Sequence, residues 1–155
     1  MFDVVMFLIE NYTNNGVTVI SDKDAVMAEL EKIGFHKIEI DRALDWLDGL
    51  DRVQKASLTG AGLTGRSFRH YLPIEEDHLS LEGIGFLAYL EQLKILDGLT
   101  REVAIDRLMA LEKREVDIAR IQWVVLVSLY NQPEKKTALS ILQDLILSDA
   151  FGQLH

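Results

Sequence analysis

Residues 116–131 restrict the fold more than any other stretch of this chain. Ile121, Trp123, Val124, Val125, Leu126 and Val127 fall almost consecutively, flanked by Ile118, Leu129 and Tyr130. Whatever element they form is apolar on nearly every side, so other apolar surface has to surround it. A central buried helix or a buried strand would satisfy that demand. The length of the stretch and the helical patterns on both sides of it favour the helix.

Those flanking patterns run along the whole chain. Phe2, Val5, Met6, Ile9 and Tyr12 recur at helical spacing and predict a helix over 2–12, stopped by Asn14-Asn15-Gly16. Val17-Thr18-Val19-Ile20 is short and β-branched, an extended connector. Ser21 or Asp22 caps a second helix that runs to Ile33, where Gly34 supplies the C-terminal cap. Ile40, Ala43, Leu44 and Leu47 form the inward face of a third helix over 37–49, and Asp41, Asp45 and Asp48 form its solvated acidic face. A short helix is expected at 51–57. After Pro73 the pattern resumes to about Leu93, with a break near Gly83 or Gly85. Thr100 is the expected cap of a helix over 101–112, and Ala138, Ile141, Leu142 and Leu145 mark a last one over 135–147. The fold class is therefore all-α. Gly60, Gly62 and Gly65 mark a linker at 58–65, which separates a helical subdomain at 1–57 from another at 66–155, the two sharing a core.

Charge and composition exclude several classes of function. The chain has 155 residues with 25 acidic and 16 basic side chains, a formal charge of −9, which opposes broad binding to nucleic acid or anionic membrane. It has no cysteine, which removes disulfides, thiolate nucleophiles and Cys-based zinc sites. The apolar start carries Asp3 and no basic residue before its hydrophobic run, so it reads as a helix rather than a signal peptide. No apolar run approaches a membrane span of about 20 residues. The expected location is the cytoplasm.

Catalytic chemistry has no foothold in the pattern. Gly60-x-Gly62-x-x-Gly65 matches a dinucleotide fingerprint literally, but no strand precedes it and no helix opens after it, so it reads as linker. His36, His70, His78 and His155 show no paired metal-ligand spacing, and Glu75-Glu76-Asp77-His78 points its side chains in different directions around a helix. No metal or cofactor is expected, nor any catalytic residue. Arg66, Phe68, Arg69, His70 and Tyr71 make the one basic-aromatic cluster, whose arginines can grip phosphate and whose rings can stack on bases. Arg101 and Arg107 sit on a following helix and extend the nucleic-acid reading, although ion pairs with neighbouring carboxylates are the simpler role for them.

Two resemblances add to this. Met27, Leu30, Ile33-Gly34-Phe35, Ile40, Ala43-Leu44 and Leu47 resemble the ubiquitin-associated-like three-helix pattern, whose Gly-Phe loop joins two helices. That resemblance implies partner binding through the loop and a neighbouring helix, with Gly34, Phe35 and Trp46 as exposed candidates. The whole chain resembles the bacterial Smg family, also called DUF494. The landmarks are Met1-Phe2-Asp3-Val4, Ala43-Leu44-Asp45-Trp46-Leu47, Gly85-Phe86-Leu87, Arg101-Glu102-x-x-Ile105-Asp106-Arg107, Trp123-Val124-Val125-Leu126, Asn131-Gln132-Pro133 and Leu154-His155. The family offers no established catalytic residues, and its gene neighbourhood associates it with DNA processing. The expected function is a non-enzymatic adaptor or regulatory protein that binds another protein. The alternative is a nucleic-acid-associated protein that uses the Arg66–Tyr71 cluster.

Overall fold

A computed structural model describes residues 1–14, 17–18, 22–59, 70–130, 137–138 and 140–145, and among these the chain is built of α-helices, with one short 3-10 turn. The chain divides into two compact units, Met1–Arg52 and Val53–His155.

In the first unit, α1 (Phe2–Tyr12) buries more than the single stripe that its spacing suggests. Val4, Val5 and Leu8 are fully covered, with Phe2 and Ile9 beside them. The connector after α1 pairs with its end: β1 (Thr13–Asn14) and β2 (Val17–Thr18) form a minimal antiparallel ladder with Thr13 opposite Thr18. Helix α2 (Lys23–Ile33) is capped by Asp22, whose Oδ1 accepts from the Ala25 amide at 3.2 Å. It buries Val26 and Leu30.

The next element, α3 (Lys37–Thr59), corrects the sequence reading. One helix of 23 residues replaces two short ones. Gly49 does not break it, because Leu47 and Leu50 on either side are buried and hold the ladder in place. The linker expected at 58–65 therefore begins in helix at Leu58 and Thr59, and its remainder lies outside the described residues. Asp41, Asp45 and Asp48 are exposed, as a solvated face requires. The Lys23 ammonium donates to Asp48 Oδ2, and that hydrogen bond and the carboxylate charge raise its pKa above the ordinary lysine value.

In the second unit α4 (Pro73–Gln92), α5 (Gly98–Met109) and α6 (Ile118–Tyr130) pack against one another. The apolar stretch within 116–131 is indeed a helix. Ile121, Val124, Val125 and Leu129 of α6 are fully buried, while Trp123 and Leu126 are half-buried. The buried Ser128 hydroxyl donates to the Val124 carbonyl at 2.7 Å, and the Ser128 carbonyl accepts from Gln54 Nε2 at 3.0 Å. Residues 137–138 and 140–145 are helical again and contribute buried Leu142.

Helix α4 does bend, but at neither glycine. Ser80 takes φ 65° and ψ 162°, a region almost reserved for glycine, which costs a side-chain-bearing residue about 1–3 kcal/mol. Its Oγ accepts from the Gly83 amide at 3.2 Å, so Ser80 caps the second half of the helix where the first half ends. Gly83 is buried instead of breaking the helix. At the start of α5 the cap is Asp97 and not Thr100. Asp97 Oδ1 accepts from the Thr100 amide at 2.9 Å, and Thr100 Oγ1 accepts from the Asp97 amide at 2.9 Å, a reciprocal capping box.

Two helices end in the same motif with different residues. After α2, Gly34 at φ 118° donates to the Glu31 carbonyl and Phe35 donates to that of Leu30. After α4, Lys94 at φ 63° donates to Glu91 and Ile95 donates to Leu90. Both are Schellman turns, which want glycine at the left-handed position. Gly34→Ala meets open space around the new Cβ, so its cost is conformational, about 1 kcal/mol. Lys94→Gly removes the same penalty and is expected to stabilise by about 0.5–1 kcal/mol. Urea unfolding of the two variants beside the parent checks the pair. Changes of the same sign would show that backbone handedness does not govern these turns.

Candidate functional site

The best-defined candidate surface is the turn between α2 and α3. Its backbone is pinned by the paired Schellman hydrogen bonds at Gly34 and Phe35. The Phe35 ring is half-buried and meets Phe7 of α1 edge-to-face, with ring centroids 5.8 Å apart, which ties the turn to the first helix. Gly34 is exposed. On either side stand Ile33, 51% exposed, and Ile38, 68% exposed.

The sequence reading did not single out these isoleucines as surface residues. Ile38 was detectable, since it lies almost opposite Ile40, Ala43, Leu44 and Leu47 around the helix. Ile33 was not, because it continues the Val26–Leu30 stripe and is uncovered only by the turn that follows it.

Trp46 departs from expectation. It is buried, among the inward residues of α3, and so is no exposed anchor for a partner. An indole at the edge of a helical stripe is large enough to reach the core from there.

The nucleic-acid candidates separate into two groups. Arg66, Phe68 and Arg69 lie outside the described residues, and Tyr71 is half-buried. Arg101 and Arg107 are both buried, which corrects any reading that sets them on an open face. Arg101 Nη1 reaches Glu91 Oε2 at 3.2 Å, and its Nε and Nη2 reach Glu102 Oε1 at 3.2 Å. Arg107 Nη2 lies 2.6 Å from Asp106 Oδ2. Guanidinium groups held this way bind carboxylates of their own chain in place of phosphates.

One cleft of about 340 Å³ opens among Val53, Glu75, Glu102, Ile105, Asp106 and Met109. Its carboxylates already have partners. Glu75 Oε2 accepts from the Leu72 amide at 3.0 Å in the cap of α4, Glu102 holds Arg101, and Asp106 holds Arg107. The acidic run at 75–78 is likewise spread out. Asp77 pairs with Lys113 at 2.8 Å, and His78 Nε2 lies 3.1 Å from the Leu108 carbonyl. Among the described residues no three His, Cys, Asp or Glu side chains gather as metal ligands, and no helix is long and apolar enough to cross a membrane.

The family model described as "Protein of unknown function (DUF494)" matches residues 1–155. The chain belongs to that family. A "Protein Smg homolog" of Shewanella piezotolerans is 39% identical over 156 residues, covering all of this chain and 99% of that protein. The "Protein Smg homolog" of Nitrosococcus oceani is 37% identical over 155 residues, covering all of this chain and 98% of that one. No solved structure matches the chain. The family resemblance read from scattered landmarks thus holds from the first residue to the last.

Proposed function

We propose that this DUF494 protein is a non-enzymatic adaptor or regulatory protein that binds another protein through the α2–α3 turn. The observation that carries the reading is the combination of a pinned backbone with uncovered apolar side chains. The turn is held by its Schellman hydrogen bonds and by the Phe35–Phe7 contact, so little conformational entropy is lost when a partner arrives. Ile33 and Ile38 present apolar surface on both sides of Gly34, where a partner's backbone can approach closely. The acidic stripe of α3 supplies a polar margin that disfavours acidic partners. Burial of Arg101 and Arg107 weakens the nucleic-acid alternative, which then rests on Arg66, Phe68, Arg69 and Tyr71 alone.

The test is affinity capture from native lysate with the tagged chain and with an Ile33→Glu/Ile38→Glu variant. Each capture is run with and without nuclease and at two salt concentrations. Both positions are exposed, so the variant keeps the fold, which circular dichroism verifies. The expected result is a protein that survives nuclease and moderate salt on the parent and is depleted at least about tenfold on the variant. Partners that vanish with nuclease or fall steeply with salt would overturn the reading and favour the Arg66–Tyr71 cluster. A partner held equally by both forms would move the binding surface elsewhere.

A further inference from the structure

We propose that the outer face of α4 from Leu81 to Leu93 is an antiparallel two-fold interface, and that what covers it is a second copy of this chain. Past the bend at Ser80, the helix buries Gly83, Leu87 and Leu90 on one side. The opposite side carries Leu81, Glu82, Gly85, Tyr89, Gln92 and Leu93, all exposed. Leu81 is 82%, Tyr89 46% and Leu93 38% exposed, which together make an uncovered apolar strip along this face.

The order of these residues is self-complementary about position 87. Leu81 mirrors Leu93, Glu82 mirrors Gln92, and Gly85 mirrors Tyr89. A two-fold axis brings each residue of such a pattern to its counterpart on the other copy. Leucine then packs on leucine, the Glu82 carboxylate accepts from the Gln92 amide, and Tyr89 settles over Gly85. That glycine leaves room for a ring, since a Cβ built there has nothing within 4 Å.

Charge agrees with the antiparallel sense. Lys94 follows the helix at one end, and Glu82 lies toward the other. Lys94 and Glu82 are both exposed, within reach of a neighbour. Antiparallel packing also sets opposite ends of the helix dipoles together. One face of three helical turns supplies much less than the roughly 800 Å² per partner of a stable dimer, so the association is weak and reversible.

Sedimentation velocity from about 10 μM to about 1 mM spans the range in which so small an interface associates. The parent is expected to shift from the 17.6 kDa chain mass toward twice that value. Gly85→Lys keeps the fold, because the site is open in the single chain, and is expected to stay monomeric throughout. The chain has no cysteine, so Glu82→Cys and Gln92→Cys variants give a clean cross-linking background. Disulfides are expected in the mixture of the two and not in either alone. A parent that stays monomeric, a Gly85→Lys variant that associates as the parent does, or cross-linking within each variant alone would overturn the proposal.

Discussion

Removing Glu91 and Glu102 together by alanine substitution is expected to cost about 3–5 kcal/mol, more than removing the arginine they hold. The Arg101 side chain is only 7% exposed, and its hydrogen bonds run to these two carboxylates. Without them a buried guanidinium is left inside the protein with no counter-ion. The reverse experiment is gentler. Glu91 and Glu102 are 32% and 29% exposed, so after Arg101→Met they turn toward water, and the methionine refills the apolar space of the arginine stem. Thermal unfolding followed by circular dichroism separates the two cases. The double alanine variant should melt roughly 10 °C below the parent, and Arg101→Met should fall by much less. A larger loss for Arg101→Met would mean that the ion pairs themselves, and not the avoidance of a lone buried cation, stabilise the fold.

The second large effect lies where α4 crosses α6. A Cβ at Gly83 would stand 2.7 Å from Ile121 Cδ1, and Ile121 is fully buried with little room to move. Overpacking costs about 1–3 kcal/mol, against which alanine recovers up to about 1 kcal/mol of helix propensity, so Gly83→Ala should destabilise by roughly 1–2 kcal/mol. Ile121→Val removes the clashing atom and by itself costs about 0.5–1.5 kcal/mol. Combined, each change answers the other: the new methyl fills the space that Cδ1 leaves. The double variant should be more stable than Gly83→Ala alone, a coupling that a double-mutant cycle in urea reads directly. Strict additivity of the two costs would disprove the contact.

Much of this architecture can be read from spacing alone, because helices bury stripes and stripes repeat. The limits of α1 and α2, the identity of α6 as a helix and the cap at Gly34 all follow from local rules. The failures share a cause. Gly49, Gly83 and Gly85 carry the residue type that ends helices, yet Gly49 and Gly83 are buried within helices and Gly85 faces solvent in one. Packing sets the role of a glycine, and packing is not local. Ser80, which does interrupt α4, has no sequence signal beyond its capping ability. The candidate surface was half legible. Gly34 and Phe35 stand out by motif, while Trp46, Arg101 and Arg107 were placed by residue type and proved to be buried. Whether a large or charged side chain faces inward depends on partners distant in sequence, here Glu91 for Arg101.

The backbone at Ser80 has a consequence in terms of handedness. Reversing the signs of φ 65° and ψ 162° gives the angles of an ordinary extended residue. At that one carbon the chain asks of an L-residue what a D-residue would do without strain. A synthetic chain carrying D-serine at position 80 would suit the bend of α4 better than the gene-encoded one. The ribosome cannot insert that residue, so the genetic code leaves glycine as the nearest relief, at the loss of the hydroxyl that starts the second half of the helix.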